Sequence, residues 1–453
     1  VAKRAQATPP SSYAYPMSEV LRGGTVVTNS DESGQYAGYQ ADILISDGKI
    51  AAVLPPGHSV DGAEDLDVTG LWLVPGFVQA HTHLIQTLFR GMADDLALLD
   101  WLRNRIWPLE SAHDEESAYW SARLGLTEML LGGTTAILDM ASVRHTDAVF
   151  QAAKEAGIHA HIGKAMMDRE NEAGLSESTD VSLQTSCDLR DRWHGKGRLR
   201  YAFAPRFVPS CTETLLTETV AAARSSGCLI HSHASENLSE VELVRSLTSM
   251  DNVTYLDSIG MTGPDVVLAH CIHLTTDELR LLAQTQTAIA HCPGSNFKLA
   301  SGIAPIPALL DAGAICVIGS DGAPCNNRMD MFAEMRLAAL MQKPVHGASA
   351  LPAEALLNMA TRQGANVLGT GGGDIIAGAT ADIIALDPVM PHSLGGGSPA
   401  GSLVYAQTPA NVRHVWVEGD RVVDNGDVCA WSWADTVQGC AASLSRVRLR
   451  VGL

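Results

Sequence analysis

Short apolar runs and longer amphipathic stretches alternate through the middle of this chain, while both ends read as strands broken by turns. Apolar runs fall near residues 77–80, 134–138, 158–162, 199–204, 228–231, 265–269, 287–290 and 315–319. Between them lie stretches with helical spacing, such as Glu116 to Leu131, Thr212 to Ser225 and Ser239 to Leu247. Continuous apolar runs mark parallel strands buried on both faces, and the intervening helices supply the crossovers those strands require. Eight such units over roughly 300 residues match an α/β chain closed into a (β/α)8 barrel of the TIM type. An open doubly wound sheet is the alternative, but no glycine-rich dinucleotide loop follows the first strand.

The ends have a different texture. Asp42-Ile-Leu-Ile-Ser46, the turn Asp47-Gly48 and Lys49-Ile-Ala-Ala-Val53 make a hairpin pattern. Ala381 to Leu386 reads as a strand, and Val415–Val417 with Arg421–Val423 reads as a second hairpin around Glu418-Gly-Asp420. Residues 18–75 and 376–453 are therefore expected to join as one small β-sandwich domain flanking a barrel at 76–375. Residues 1–17, with Pro9, Pro10, Ser11 and Ser12, are expected to be a disordered lead-in.

Composition narrows the function. Arg and Lys number 31 against 50 Asp and Glu, a formal charge of −19. Such a chain repels nucleic acid and anionic membrane surfaces, so the expected partner is a small neutral or cationic molecule. Nine cysteines occur without any Cys-x-x-Cys pair, which predicts reduced thiols and a cytoplasmic setting. No apolar stretch reaches the ~18–20 residues that cross a bilayer.

The barrel reading places catalytic groups at the C-terminal ends of strands. His81 and His83 end the first run, His233 the fifth, His270 the sixth and Asp321 the eighth. Residues i and i+2 of a strand share a face, so His81 and His83 can address one ion. Neutral imidazoles and a carboxylate hold a borderline divalent ion and leave a position for water. A lone strand-end histidine is usually a packed or hydrogen-bonded group; four predicted strand ends carrying such residues together point to a metal. His58, His113, His145, His194, His346, His392 and His414 fall in loops or helices and read as structural. His159 and His161 lie inside the third run and read as packing; His291 ends the seventh and is left open.

These residues sit in longer motifs: Pro75-Gly-Phe-Val-Gln-Ala-His81-Thr-His83, His233-Ala-Ser-Glu236, Ala269-His270-Cys-Ile-His273-Leu, His291-Cys-Pro-Gly-Ser-Asn296-Phe-Lys-Leu and Ser320-Asp321-Gly322-Ala-Pro-Cys-Asn-Asn327. In these the chain resembles the amidohydrolase superfamily, and within it the purine and triazine aminohydrolases. The resemblance implies that His81, His83, His233 and Asp321 hold one divalent ion per chain, zinc foremost and iron as the alternative. The fourth strand, ending Ala204-Pro205-Arg206, lacks the lysine that bridges two metals in dinuclear relatives. His270 and Asp321 are then expected to polarise and deprotonate water, whose pKa an ion lowers from ~15.7 to roughly 7–9. Glu236 is the expected proton shuttle for a ring nitrogen and a departing amine; the alternative is a carboxylate that only orients His233. Proteins similar to this one are commonly homodimers.

Two sets of residues suggest different rings. Ala93-Asp-Asp95-Leu, Trp101-Leu and Trp107-Pro-Leu-Glu110 resemble deaminases of methylthioadenosine, S-adenosylhomocysteine and 5′-deoxyadenosine, where the matching glutamate accepts from ribose hydroxyls; Asn327 fits the same group. Gln86 and Pro205-Arg206-Phe207 resemble guanine deaminase, where the matching Gln and Arg read the ring. The leading expectation is an adenine nucleoside. Guanine, 8-oxoguanine, a pterin and a triazine (aminated or chlorinated) are the alternatives, and a cyclic amidase or a non-catalytic barrel are those of another class.

Overall fold

The computed structural model describes residues 18–29 and 36–452, so the lead-in expected at 1–17 lies outside the described residues. Eight parallel strands follow one another around a barrel: Phe77–Thr82, Thr134–Met140, His159–Gly163, Leu199–Pro205, Leu229–Ala234, Val266–His270, Ala288–His291 and Cys316–Ile318. The circle closes through a parallel bridge between Thr82 and Asp321, with the Asp321 N–H donating to the His81 carbonyl at 3.1 Å. Gly319 makes that closure sterically feasible. A Cβ there would stand 2.6 Å from the His81 carbonyl oxygen.

Side chains alternate along each strand, which explains the unbroken apolar runs. Val78, Ala80, Ala136, Leu138, Ala202, Val267, Ala269, Ala288, Ala290 and Val317 form the inner cluster. Phe77, Ile137, Ile162, Phe203, Ile230, Leu268, Ile289 and Ile318 face outward into the larger core beneath the helices. Small inner residues and large outer ones suit a narrow lumen inside a wide helical ring. The helices start on polar caps: Asp114 and Ser117 form a reciprocal capping box for Glu115–Leu131, Thr212 caps Glu213–Ser226, and Asn237 with Glu240 caps Leu238–Thr248.

The termini meet in a separate nine-stranded sheet. Trp72–Pro75 is its seam, pairing parallel with Ser18–Asn29 and antiparallel with Ile383–Leu386. The turn between Tyr36–Ser46 and Lys49–Leu54 has Asp47 at φ 51° and Gly48 at φ 74°, the paired left-handed geometry of a tight hairpin. The sheet folds over on itself, because Glu19 near its start accepts from the Trp416 indole at 2.8 Å and from Arg421 at 3.0 Å. Leu21, Val26, Ile43, Ile50, Leu73, Ile383 and Trp416 fill the fold.

The last strand of the sheet is Asp427–Val428. Trp433–Val451 is a helix that packs on the barrel helix Glu115–Leu131, with Gly439 lying so close to Trp120 that a Cβ would stand 2.2 Å from the indole. Arg450 donates to Asp114 at 2.6 Å, joining the last helix to the cap of that barrel helix. Among the described residues no helix is long and apolar enough to cross a membrane.

Candidate active site

The C-terminal rim of the barrel gathers the strand-end residues. His81 Nε2 and His83 Nε2 stand 3.5 and 3.4 Å from Asp321 Oδ1, and His83 Nε2 stands 3.2 Å from His233 Nε2. Bonds of about 2.0–2.2 Å to a tetrahedral ion set ligand atoms about 3.3–3.5 Å apart. The donor set therefore fits a divalent ion. His81 Nε2 is buried with no protein partner, a bare nitrogen turned into the cluster. A second triple, His81, His233 and His270, also keeps its ligand atoms within 4.8 Å of one another.

Burial fixes the charge states. It pulls His81 down to about 4, lowers His83, and holds His233 well below the usual histidine value, so these rings are neutral as ligands must be. Burial opposes charge on Asp321, but its hydrogen bond with His81 and its interactions with the surrounding imidazoles outweigh it, and the carboxylate stays well below its ordinary pKa. His83 Nδ1 donates to the Met140 carbonyl at 2.8 Å and His233 Nδ1 to the Arg206 carbonyl at 2.7 Å, which leaves each Nε2 free for a metal.

The strand ends bend sharply here. Ser235, His270, Cys271 and Asp321 have φ of 53°, 72°, 47° and 62°, left-handed values that cost energy without glycine. The bends aim His270 and Asp321 at one point. His270 Nδ1 donates to Asn296 Oδ1 at 2.9 Å, and its Nε2 lies 3.5 Å from Glu236 Oε2 and 3.7 Å from Asp321 Oδ2. Glu236 is buried with Oε1 unpartnered, and burial, with the Asp321 and Glu240 charges, pushes its carboxyl well above the usual range. It is a buried carboxyl placed beside the cluster.

Gln86, Glu110 and Arg206, which point to different rings in the sequence, form one buried network. Arg206 donates to Glu110 through Nη1 at 2.9 Å and Nη2 at 3.3 Å, and Gln86 donates to Glu110 at 2.8 Å. Arg206 lines the catalytic pocket; Glu110 stands behind it. Trp107 lines a neighbouring cavity of about 500 Å³. Asn327 is exposed and accepts from Lys298 at 3.1 Å, so it lies away from the pocket. Its neighbour Asn326 braces the Asp321 loop, donating to the Ser320 carbonyl and to Glu334, each at 2.8 Å.

His291 is buried with both ring nitrogens unpartnered and does not line the pocket. No lysine stands at the end of the fourth strand, and Lys164 after the third strand is bound to Glu177 at 2.5 Å. Sequence reasoning passed over His231, 2.7 Å from His81 Nδ1, although 231 and 233 repeat the i, i+2 spacing of 81 and 83. It gave no role to the apolar wall of Leu98, Leu102, Phe207 and Leu299, although the last three stand within its motifs, and that wall leaves a pocket of only about 20 Å³.

Comparison with known proteins agrees with this geometry. The model of the amidohydrolase family matches residues 72–422. The chain is 39% identical to a 5′-deoxyadenosine deaminase of Methanothermobacter thermautotrophicus over 86% of this chain and 90% of the relative. It is 36% identical to a 5-methylthioadenosine/S-adenosylhomocysteine deaminase of Moorella thermoacetica, covering 91% and 93% respectively. A zinc-bound adenosine deaminase structure from Xanthomonas campestris superposes with a TM-score of 0.88 at 30% identity, over 95% of this chain and 98% of that one. With barrel, strand-end ligands and relatives in agreement, this chain belongs to the amidohydrolase family and is a metal-dependent hydrolase of carbon–nitrogen bonds.

Proposed function

We propose that this protein deaminates an adenine nucleoside modified at its 5′ carbon, using one divalent ion, zinc foremost, held by His81, His83, His233 and Asp321. The observation that carries deamination is Glu236: a buried carboxyl 3.5 Å from His270 and beside the proposed ligands, where burial favours its protonated form. Hydrolysis at C6 of a purine needs a proton delivered to N1 and another to the leaving amine. When bound, the ion supplies hydroxide at neutral pH by lowering the pKa of water.

Asp321 accepts the proton that water loses, and Glu236 donates its own to N1 as the new C–O bond forms. His270 Nε2 hydrogen-bonds the incoming oxygen, since its Nδ1–H is committed to Asn296. The proton taken by Asp321 then reaches the exocyclic nitrogen, the C–N bond breaks, and ammonia leaves. Glu236 regains its proton from the new C6 hydroxyl as that oxygen becomes the carbonyl and N1 keeps its hydrogen, so the cycle consumes one water and releases one ammonia.

The nucleoside assignment rests on the relatives' substrates and on the larger cavity that adjoins the catalytic pocket. Phe207 borders both the catalytic pocket and the cavity of about 500 Å³ that also takes in Leu99, Arg103 and Trp107. That cavity offers room for a 5′ substituent. A second reading, a free oxopurine such as guanine or 8-oxoguanine, draws support from Arg206, which lines the catalytic pocket while Glu110 does not. Ammonia release from zinc-loaded protein tests both, run on 5′-deoxyadenosine, methylthioadenosine, S-adenosylhomocysteine, guanine and 8-oxoguanine. Turnover of the first three alone supports the proposal, turnover of the oxopurines alone replaces it, and silence on all five rejects it.

A further inference from the structure

Three imidazoles turn Nε2 into the cluster, but they are not held alike. His83 and His233 each bond a backbone carbonyl through Nδ1. A carbonyl only accepts, so these rings keep their proton on Nδ1 and a lone pair on Nε2. His81 Nδ1 instead meets His231 Nε2 at 2.7 Å. That contact has two forms. In one, His81 donates, His231 carries its proton on Nδ1, and His81 Nε2 is free to bind an ion. In the other, His231 donates, His81 carries its proton on Nε2, and ligation is blocked. The far side of His231 does not decide between them, because its Nδ1 is buried without a partner.

We infer that His231 is a positioning residue that sets the tautomer of His81, and through it the affinity of the site for its ion. The inference rests on the metal-site reading above. Both rings are fully buried, and among the described residues no other polar group meets His81 Nδ1. Ion binding selects the first form, which costs an unpaired buried N–H on His231. A side chain that can accept at this point keeps the His81 N–H partnered; one that cannot accept leaves it without a partner.

The test is the zinc Kd, measured by chelator competition on wild type, His231→Gln and His231→Leu, with thermal unfolding of each metal-free protein recorded alongside. The Gln amide oxygen reaches the place of His231 Nε2. The Gln variant should therefore bind zinc within about threefold of wild type, or more tightly, and the Leu variant about 10–100-fold more weakly, the usual effect of losing such a partner. His231→Phe, closer in ring shape, replaces the Leu variant if that chain does not fold. Equal affinity in wild type and the apolar variant overturns the inference, as does an equal loss in Gln and apolar variants, which signals packing alone. Wild type that takes up no zinc overturns the metal-site reading and this inference with it.

Discussion

The Arg206 guanidinium straddles the Glu110 carboxylate, with Nη1 at 2.9 Å from one oxygen and Nη2 at 3.3 Å from the other, and both side chains are buried. Two residues that argue for different substrates are thus halves of one ion pair. Removing either half strands the other charge. Arg206→Met should destabilise the fold by about 3–5 kcal/mol, while the double variant with Glu110→Met should cost well under the sum of the singles. Denaturant unfolding of the four chains measures the coupling. Additive costs would mean the pair is not a unit.

Glu236→Gln keeps the volume and hydrogen-bonding reach of the side chain but removes the transferable proton. Metal content should stay at the wild-type level and turnover should fall about 10²–10⁴-fold. Metal analysis and ammonia release on one preparation decide the matter. Turnover near wild type would take the proton-shuttle role away from Glu236, and loss of metal would recast it as a support for His233.

The barrel was readable because buried parallel strands leave unbroken apolar runs, and all eight runs fall on strands. The clustering of the strand-end residues was readable because four runs close on His or Asp together, and a parallel barrel brings its strand ends to one rim. Other features leave no local trace. Helix Trp433–Val451 lies on the barrel instead of the sheet through its contact with Trp120, and nothing near residue 433 announces that partner. The pairing of Gln86, Glu110 and Arg206 joins a short 3-10 helix, a short α-helix and the end of the fourth barrel strand, and only the fold reveals that their polar atoms pair with one another. His231 was hidden by its neighbour, since His231-Ser-His233 offers two imidazoles and one assigned role.

Metal removal should lower stability as well as activity. The proposed ligands His81, His83, His233 and Asp321 lie close together in one buried cluster, and an ion that binds only the native chain stabilises it by mass action, about 2.7 kcal/mol at a hundredfold excess over Kd. Dialysis against a chelator should lower the thermal midpoint, and added zinc should restore it in a concentration-dependent way. A midpoint indifferent to zinc would contradict a site built from these residues.

His161 provides a pH prediction remote from the ligands. It lies half-buried in the third barrel strand with its Nδ1 shut off from a partner, and desolvation, reinforced by Arg200, His194 and His159, pulls it down to about 3 from the ordinary 6.5. Below pH 6.5 the unfolded chain takes up a proton at this position that the native chain refuses. The contribution of His161 is thus fully present above 6.5 and drains away as pH falls toward 3. From pH 7 to 5.5 that amounts to about 1.2 kcal/mol from this group. His161→Leu removes the group, and the other buried histidines act equally in both chains, so the difference isolates it. The unfolding free energy of wild type should drop by about 1.2 kcal/mol more than that of the variant over this interval. Parallel pH profiles would show that His161 is protonated in the native barrel after all.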